Sequence, residues 1–121
     1  MLLSERSVYS IVEEDKYQYY IYEVSCESCE VIIGIQDFSG GDPDIYINYG
    51  QEALPDKDDY DFKSTSYASE IFILNLEDQY FKSAQKTTMK GFYTIGVFGK
   101  SRSSYILTAT QNDHRIVTLD S

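Results

Sequence analysis

The sequence predicts an all-β protein, an antiparallel, jelly-roll-like β-sandwich of about eight or nine strands forming a single domain over residues 1–121. Three observations carry that prediction. Apolar residues alternate with polar ones or run in short blocks, and they do not recur with the spacing of a helix face. The blocks return at intervals of roughly 8–12 residues, separated by polar turns. Twelve tyrosines among 18 aromatic residues, with no tryptophan, suit strands that are wet on one face, because the ring packs while the hydroxyl stays hydrated.

Taken in order, Ser7–Val12 is the first strand, with Val8, Ser10 and Val12 on one face and Tyr9 and Ile11 on the other. Tyr17–Val24 (YQYYIYEV) is stronger, with Tyr17, Tyr19 and Ile21 opposed to Tyr20, Tyr22 and Val24. Glu30–Gln36 follows a tight CESC connection, turns Val31, Ile33 and Ile35 to the core, and reads as the hairpin partner of the preceding strand. Gly40, Gly41, Asp42 and Pro43 form a turn, after which Ile45, Ile47 and Tyr49 alternate with Tyr46 and Asn48 in a strand over Asp44–Tyr49. Gly50–Asp61, with its proline and aspartates and no periodicity, predicts an exposed loop, and Phe62–Ser66 a short strand. Glu70–Leu76 is apolar on both faces, the pattern of a strand covered on both sides or lying at a sandwich centre. Glu77–Lys90 predicts a loop. Gly91–Phe98 places Tyr93, Ile95 and Val97 inward, Gly99–Ser103 turns, and Ser104–Thr110 returns as its hairpin partner. Arg115–Leu119 has β character beyond an Asn-Asp turn, so residues 1–12 and 112–121 are candidate end strands.

Composition narrows the function classes. A chain of 121 residues buries roughly two-thirds of its unfolded surface in one core, and no apolar run approaches the roughly 18 residues of a membrane span. Net charge of −10 repels a phosphate backbone, which argues against nucleic-acid and anionic-membrane partners and favours cations or basic surfaces. The first residues, MLLSERS, lack the basic and long apolar regions of a secretory signal, so an extracellular setting implies a mature product or a piece of a longer chain. Asn48, Asn75 and Asn112 are not in N-glycosylation sequons.

Four segments in order, YYIYEV at Tyr19–Val24, GGDPDIYINYG at Gly40–Gly50, SEIFIL at Ser69–Leu74 and GFYTIGVFGKSRSSYILTAT at Gly91–Thr110, resemble the bacterial pre-peptidase C-terminal (PPC) domain family, which includes the collagen-binding-domain-like β-sandwiches. The Gly-Asp-Pro-Asp-Ile-Tyr match at Gly41–Tyr46 is the most specific part, and the whole covers residues 19–110. The resemblance implies a non-catalytic, jelly-roll-like module of a secreted or cell-surface protein that assists binding, localisation or assembly. It also implies calcium at acidic residues just before the aromatic strand, where Glu13, Glu14 and Asp15 stand, although the longer acidic linker that completes such a site is not recognisable.

The residues themselves offer few candidate sites. Calcium is the metal that abundant hard oxygen ligands favour, and Asp42 and Asp44 in the signature turn are a second candidate pair beside Glu13, Glu14 and Asp15. No cofactor is required by any motif. Asp56, Asp58, Asp59 and Asp61 lack the glycine and distal glutamate of an EF-hand and read as a solvated loop. Cys26 and Cys29 form one C-x-x-C between strands; an oxidising compartment makes them a small disulfide loop, a reducing one leaves free thiols. A catalytic role has little to rest on: His114 is the single histidine, no nucleophile elbow is present, and among the many carboxylates no specific pair stands out for glycoside hydrolysis. Tyr46, Tyr49 and Tyr60, in and after the signature turn, are the candidate contacts for a protein or glycan ligand. The expected function is a structural or binding module that associates with neighbouring copies, through strand-like termini, or with partners. The alternative is an accessory ligand-binding domain of a secreted protease, with calcium assisting.

Overall fold

The computed structural model describes residues 2–3, 7–64 and 70–112. It is a two-sheet β-sandwich. The strands are β1 (Leu2–Leu3), β2 (Ser7–Val12), β3 (Tyr17–Val24), β4 (Glu30–Asp37), β5 (Pro43–Tyr49), β6 (Phe62–Ser64), β7 (Glu70–Leu74), β8 (Gly91–Gly99) and β9 (Ser103–Asn112), with one short helix, α1 (Gln79–Ser83). The first sheet runs β1-β3-β8-β5-β6 and the second β2-β9-β4-β7. Every pairing between these strands is antiparallel except that of β1 with β3.

The alternation predicted from sequence sets which residues face the core. Tyr20, Tyr22 and Val24 of β3, Ile45 and Ile47 of β5, and Tyr93, Ile95 and Val97 of β8 point inward from the first sheet. They meet Val12, Val31, Ile33, Ile35, Leu74, Tyr105, Leu107 and Ala109 from the second, and all of these are buried. Each such side chain removed from water contributes about 1.5–3 kcal/mol, so this interface is the main source of stability. The hydroxyls of Tyr20 and Tyr105 meet across it at 2.7 Å, which satisfies two polar groups that burial would otherwise strand.

Four expectations need correction. β3 and β4 are not a hairpin: β3 pairs with β1 and β8, β4 with β7 and β9, and the CESC segment carries the chain from one sheet to the other. Nor do β8 and β9 pair, since β8 joins β3 and β5 while β9 joins β2 and β4. A short polar connection serves equally well to fold a strand back beside its neighbour or to carry it over the core, so sequence proximity misled both times. Within the expected loop at 77–90, Gln79–Ser83 is helical, because its packing buries Phe81 completely and sets Tyr80 against Phe62. β7, finally, is an edge strand among the described residues, with Ile71 73% and Ile73 52% exposed on its outer face.

The 50–61 segment, expected as an exposed loop, folds over the outer face of the first sheet. Tyr19 Oη donates to the Pro55 carbonyl at 3.0 Å, the Lys57 amide to Tyr17 Oη at 3.0 Å, and Asn48 Nδ2 to the Ala53 carbonyl at 3.1 Å. β5 is consequently covered on both sides, and its outward residues Asp44, Tyr46 and Asn48 are buried along with the inward ones. The N-terminal strand character is used inside the domain, by β1 on one sheet edge and β2 on the other. Residues Thr65 and Ser66 of the fifth expected strand, His114, and the end strand at Arg115–Leu119 lie outside the described residues.

Candidate functional site

At one end of the sandwich the turn between β8 and β9 is clasped by two acidic turns. The Asp15 amide donates to the Gly99 carbonyl at 2.7 Å and the Gly99 amide to the Lys16 carbonyl at 3.0 Å. On the other flank the Lys100 amide donates to the Asp42 carbonyl, and the Asp42 amide lies 3.1 Å from both Ser101 Oγ and Ser103 Oγ. Gly99 is needed for this contact, since a Cβ there would lie 2.5 Å from the Glu13 carbonyl oxygen. Glu13, Glu14 and Asp15 therefore lie on one side of the turn and Asp42 and Asp44 on the other.

The two acidic groups differ in chemistry. Glu13, Glu14 and Asp15 are exposed, and Glu13 is engaged by Arg102, whose Nε is 3.0 Å from one carboxylate oxygen and 3.2 Å from the other. Asp44 is 1% exposed, and among the described residues neither its two oxygens nor Asp42 Oδ1 has a hydrogen-bond partner. Burial, reinforced by the neighbouring Asp42, raises the Asp44 pKa against the opposing pull of Lys100 and Lys63. A cation held here would satisfy those oxygens, but calcium takes 6–8 oxygen ligands. Among the described residues no three acidic, histidine or cysteine side chains converge in a group able to hold a metal.

The three candidate tyrosines do not form one cluster. Tyr46 is 5% exposed on the outer face of the first sheet, where its ring packs on that of Tyr60 at 5.5 Å between centroids. Burial, then Asp44, pushes the Tyr46 hydroxyl up to about 12. Tyr49 faces the other way: its ring meets Tyr93 edge-on at 5.1 Å and Phe81 at 6.1 Å, its hydroxyl donates to the Lys90 carbonyl, and Lys86 Nζ sits 4.4 Å over it. Beside its backbone an open cavity of about 310 Å³ is bordered by Glu52, Asp59 and Asp61. Asp61 already accepts the Tyr49 amide at 2.9 Å, which makes it part of the loop's anchorage. Cys26 and Cys29 are joined in a disulfide that closes the crossing from β3 to β4.

A third surface was not singled out by the sequence. The second sheet has no loop over its outer face comparable to 50–61 among the described residues, and four of the five large apolar side chains that are strongly exposed belong to it: Tyr9 on β2, Phe38 just after β4, and Ile71 and Ile73 on β7. Tyr9 and Phe38 pack together at 6.4 Å, while the β4–β7 register sets Ile73 beside Ile32 and Ile71 beside Gly34. The half-buried Ile11, Ile32 and Ile106 extend the apolar surface between these ends. A cluster of exposed apolar side chains on one sheet face marks a candidate interaction surface. The signal for it in sequence is the apolar outer set of EIFIL, the same pattern that a strand covered on both sides gives.

No protein-family model matches the chain, and no curated protein matches it. Among solved structures, the pre-peptidase C-terminal domain of a collagenase from Bacillus anthracis superposes with a TM-score of 0.59 at 12% identity, covering 90% of this chain and 92% of that one. PliG of Aeromonas hydrophila, a periplasmic inhibitor of g-type lysozyme, superposes with a TM-score of 0.54 at 9% identity, covering 88% and 85%. The sandwich predicted from the residues and from the PPC resemblance is thus the fold this chain shares with a PPC domain.

Proposed function

We propose that this domain is a non-catalytic protein-binding module that works outside the cytoplasm and engages its partners through the open face of the second sheet. The observation that carries the reading is the concentration of Tyr9, Phe38, Ile71 and Ile73 on one face, while the first sheet has its tyrosines packed under a loop. Exposed apolar area of this kind is costly to leave in water and is retained where a partner covers it. The fold is shared with a domain of a collagenase and with a protein inhibitor of an enzyme, both of which support a binding role in this setting. The Cys26–Cys29 disulfide suits an oxidising compartment.

The test compares the natural chain, immobilised and exposed to the extracellular fraction of its source cells, with an Ile71→Lys/Ile73→Lys variant. Selective retention by the natural chain, lost in the variant, supports the reading. Equal retention by both rejects it.

A further inference from the structure

We infer that the outer face of the second sheet is where two copies of this chain meet, face to face about a two-fold axis. This deepens the protein-binding reading, on which it rests, by naming the partner. Charge is the first reason. Of the residues that β2, β9, β4 and β7 turn outward, Glu30, at one end of β4, is the only charged one among the described residues. The opposite side of the domain is roofed by the loop at 50–61, which carries Glu52, Asp56, Asp58, Asp59 and Asp61 against a single lysine, Lys57.

A chain of net charge −10 repels its own copies wherever carboxylates are brought together, and on this face they are not. A basic partner gains its attraction from the acidic side of the domain and finds no charges to pair with here. The uncharged face is therefore matched to a second uncharged face, and the copy of this chain supplies one.

Shape is the second reason. Ser7, Thr108 and Gly34 stand side by side across β2, β9 and β4, and their small side chains make a trough. One row further along the strands on one side are Ile32 and Ile73, and on the other are Tyr9 and Ile106. Tyr9 is 62% exposed, so that second ridge stands clear of its own sheet. A two-fold axis parallel to the trough, between it and the Tyr9–Ile106 ridge, sets each copy's ridge in the other's trough at the roughly 10 Å spacing of packed sheets. Tyr9 then lies over Ser7 and Ile106 over Thr108 of the second copy, Ile32 is directed toward Phe38, and Glu30 falls outside the contact. Because the rotation brings one patch onto itself, association stops at the dimer.

The experiment is sedimentation velocity on the full natural chain and on a Tyr9→Lys/Ile106→Lys variant, from about 10 μM to about 1 mM protein, at about 20 mM and about 500 mM salt. Expected for the natural chain is a monomer–dimer equilibrium that goes no further than the dimer and strengthens with salt, because screening weakens the repulsion between acidic copies. The variant is expected to dissociate at least about tenfold more readily, with unchanged circular dichroism. Tyr9→Lys alone, at an exposed position, reads the same contact should the change on β9 disturb the sheet. A natural chain that stays monomeric throughout overturns the proposal, as does a dimer that these variants leave intact, one that salt weakens, or growth beyond the dimer. If the chain is monomeric but capture of other proteins still depends on Ile71 and Ile73, the second copy is the wrong occupant and the binding face stands; if capture is also indifferent to them, both fail.

Discussion

Asp44 is a carboxylate buried to 1% exposure. Its two carboxylate oxygens are buried without hydrogen-bond partners among the described residues, and its folded pKa is raised by that burial. For an acid with a raised folded pKa, the cost is absent below the ordinary value, where the group is protonated in both states. It is fully present above the raised value, so its contribution to stability falls as pH rises between the two. Asp44→Asn is expected to melt higher than the natural chain at pH 7 in chelator, with the difference shrinking toward pH 4; thermal denaturation across that range checks it. Calcium ligation by Asp42 and Asp44 makes the opposite prediction in added calcium, a rise in the melting point of the natural chain that Asp44→Asn abolishes. The signature turn was legible as a turn from Gly40 to Pro43, but the burial of Asp44 was not. Burial of an outward strand residue depends on what the chain lays over its sheet, as the loop at 50–61 does where it bonds to Tyr19 and Asn48.

At the level of elements, the chain changes sheets at every connection between strands except that from β5 to β6. Short connections must then cross the core's edge, and two of them are fixed locally. The Cys26–Cys29 disulfide closes a loop of so few residues that its entropic contribution is about 2 kcal/mol. Reduction is expected to lower the melting temperature by roughly 8 °C at about 4 °C per kcal/mol, measured by differential scanning calorimetry with and without reductant. The β8–β9 connection depends on Gly99, where a Cβ would meet the Glu13 carbonyl at 2.5 Å. Backbone cannot yield as a flexible side chain does, so Gly99→Ala is expected to cost about 1–3 kcal/mol in chemical denaturation while leaving the sheet content unchanged. Strand positions and their inward faces were readable because a period of two is local. Which strands pair was not, because CESC and GKSRS have the same polar character whether they reverse a chain within a sheet or carry it between sheets.

For the whole molecule, the difference between the two outer faces matters most. One is roofed by its own loop, with Tyr46 against Tyr60 and Tyr19 bonded to Pro55; the other ends in an edge bearing Ile71 and Ile73. Because those isoleucines face solvent, Ile71→Lys/Ile73→Lys is expected to change the folding free energy by less than about 1 kcal/mol. Equilibrium denaturation checks this, and it separates a binding surface from a core. The sequence by itself determined the all-β sandwich class, the inward residues of β4 and β8, the two alternating faces of β3 and β5, and the likeness to PPC domains, since all of these depend on local alternation and ordered motifs. Only the tertiary structure decided that Tyr46 is packed under a loop, that Tyr49 belongs to the opposite face, and that EIFIL lies at an edge. Exposure depends on what the rest of the chain lays over a strand, and an apolar residue reads the same in sequence whether its cover comes from its own domain or from a partner.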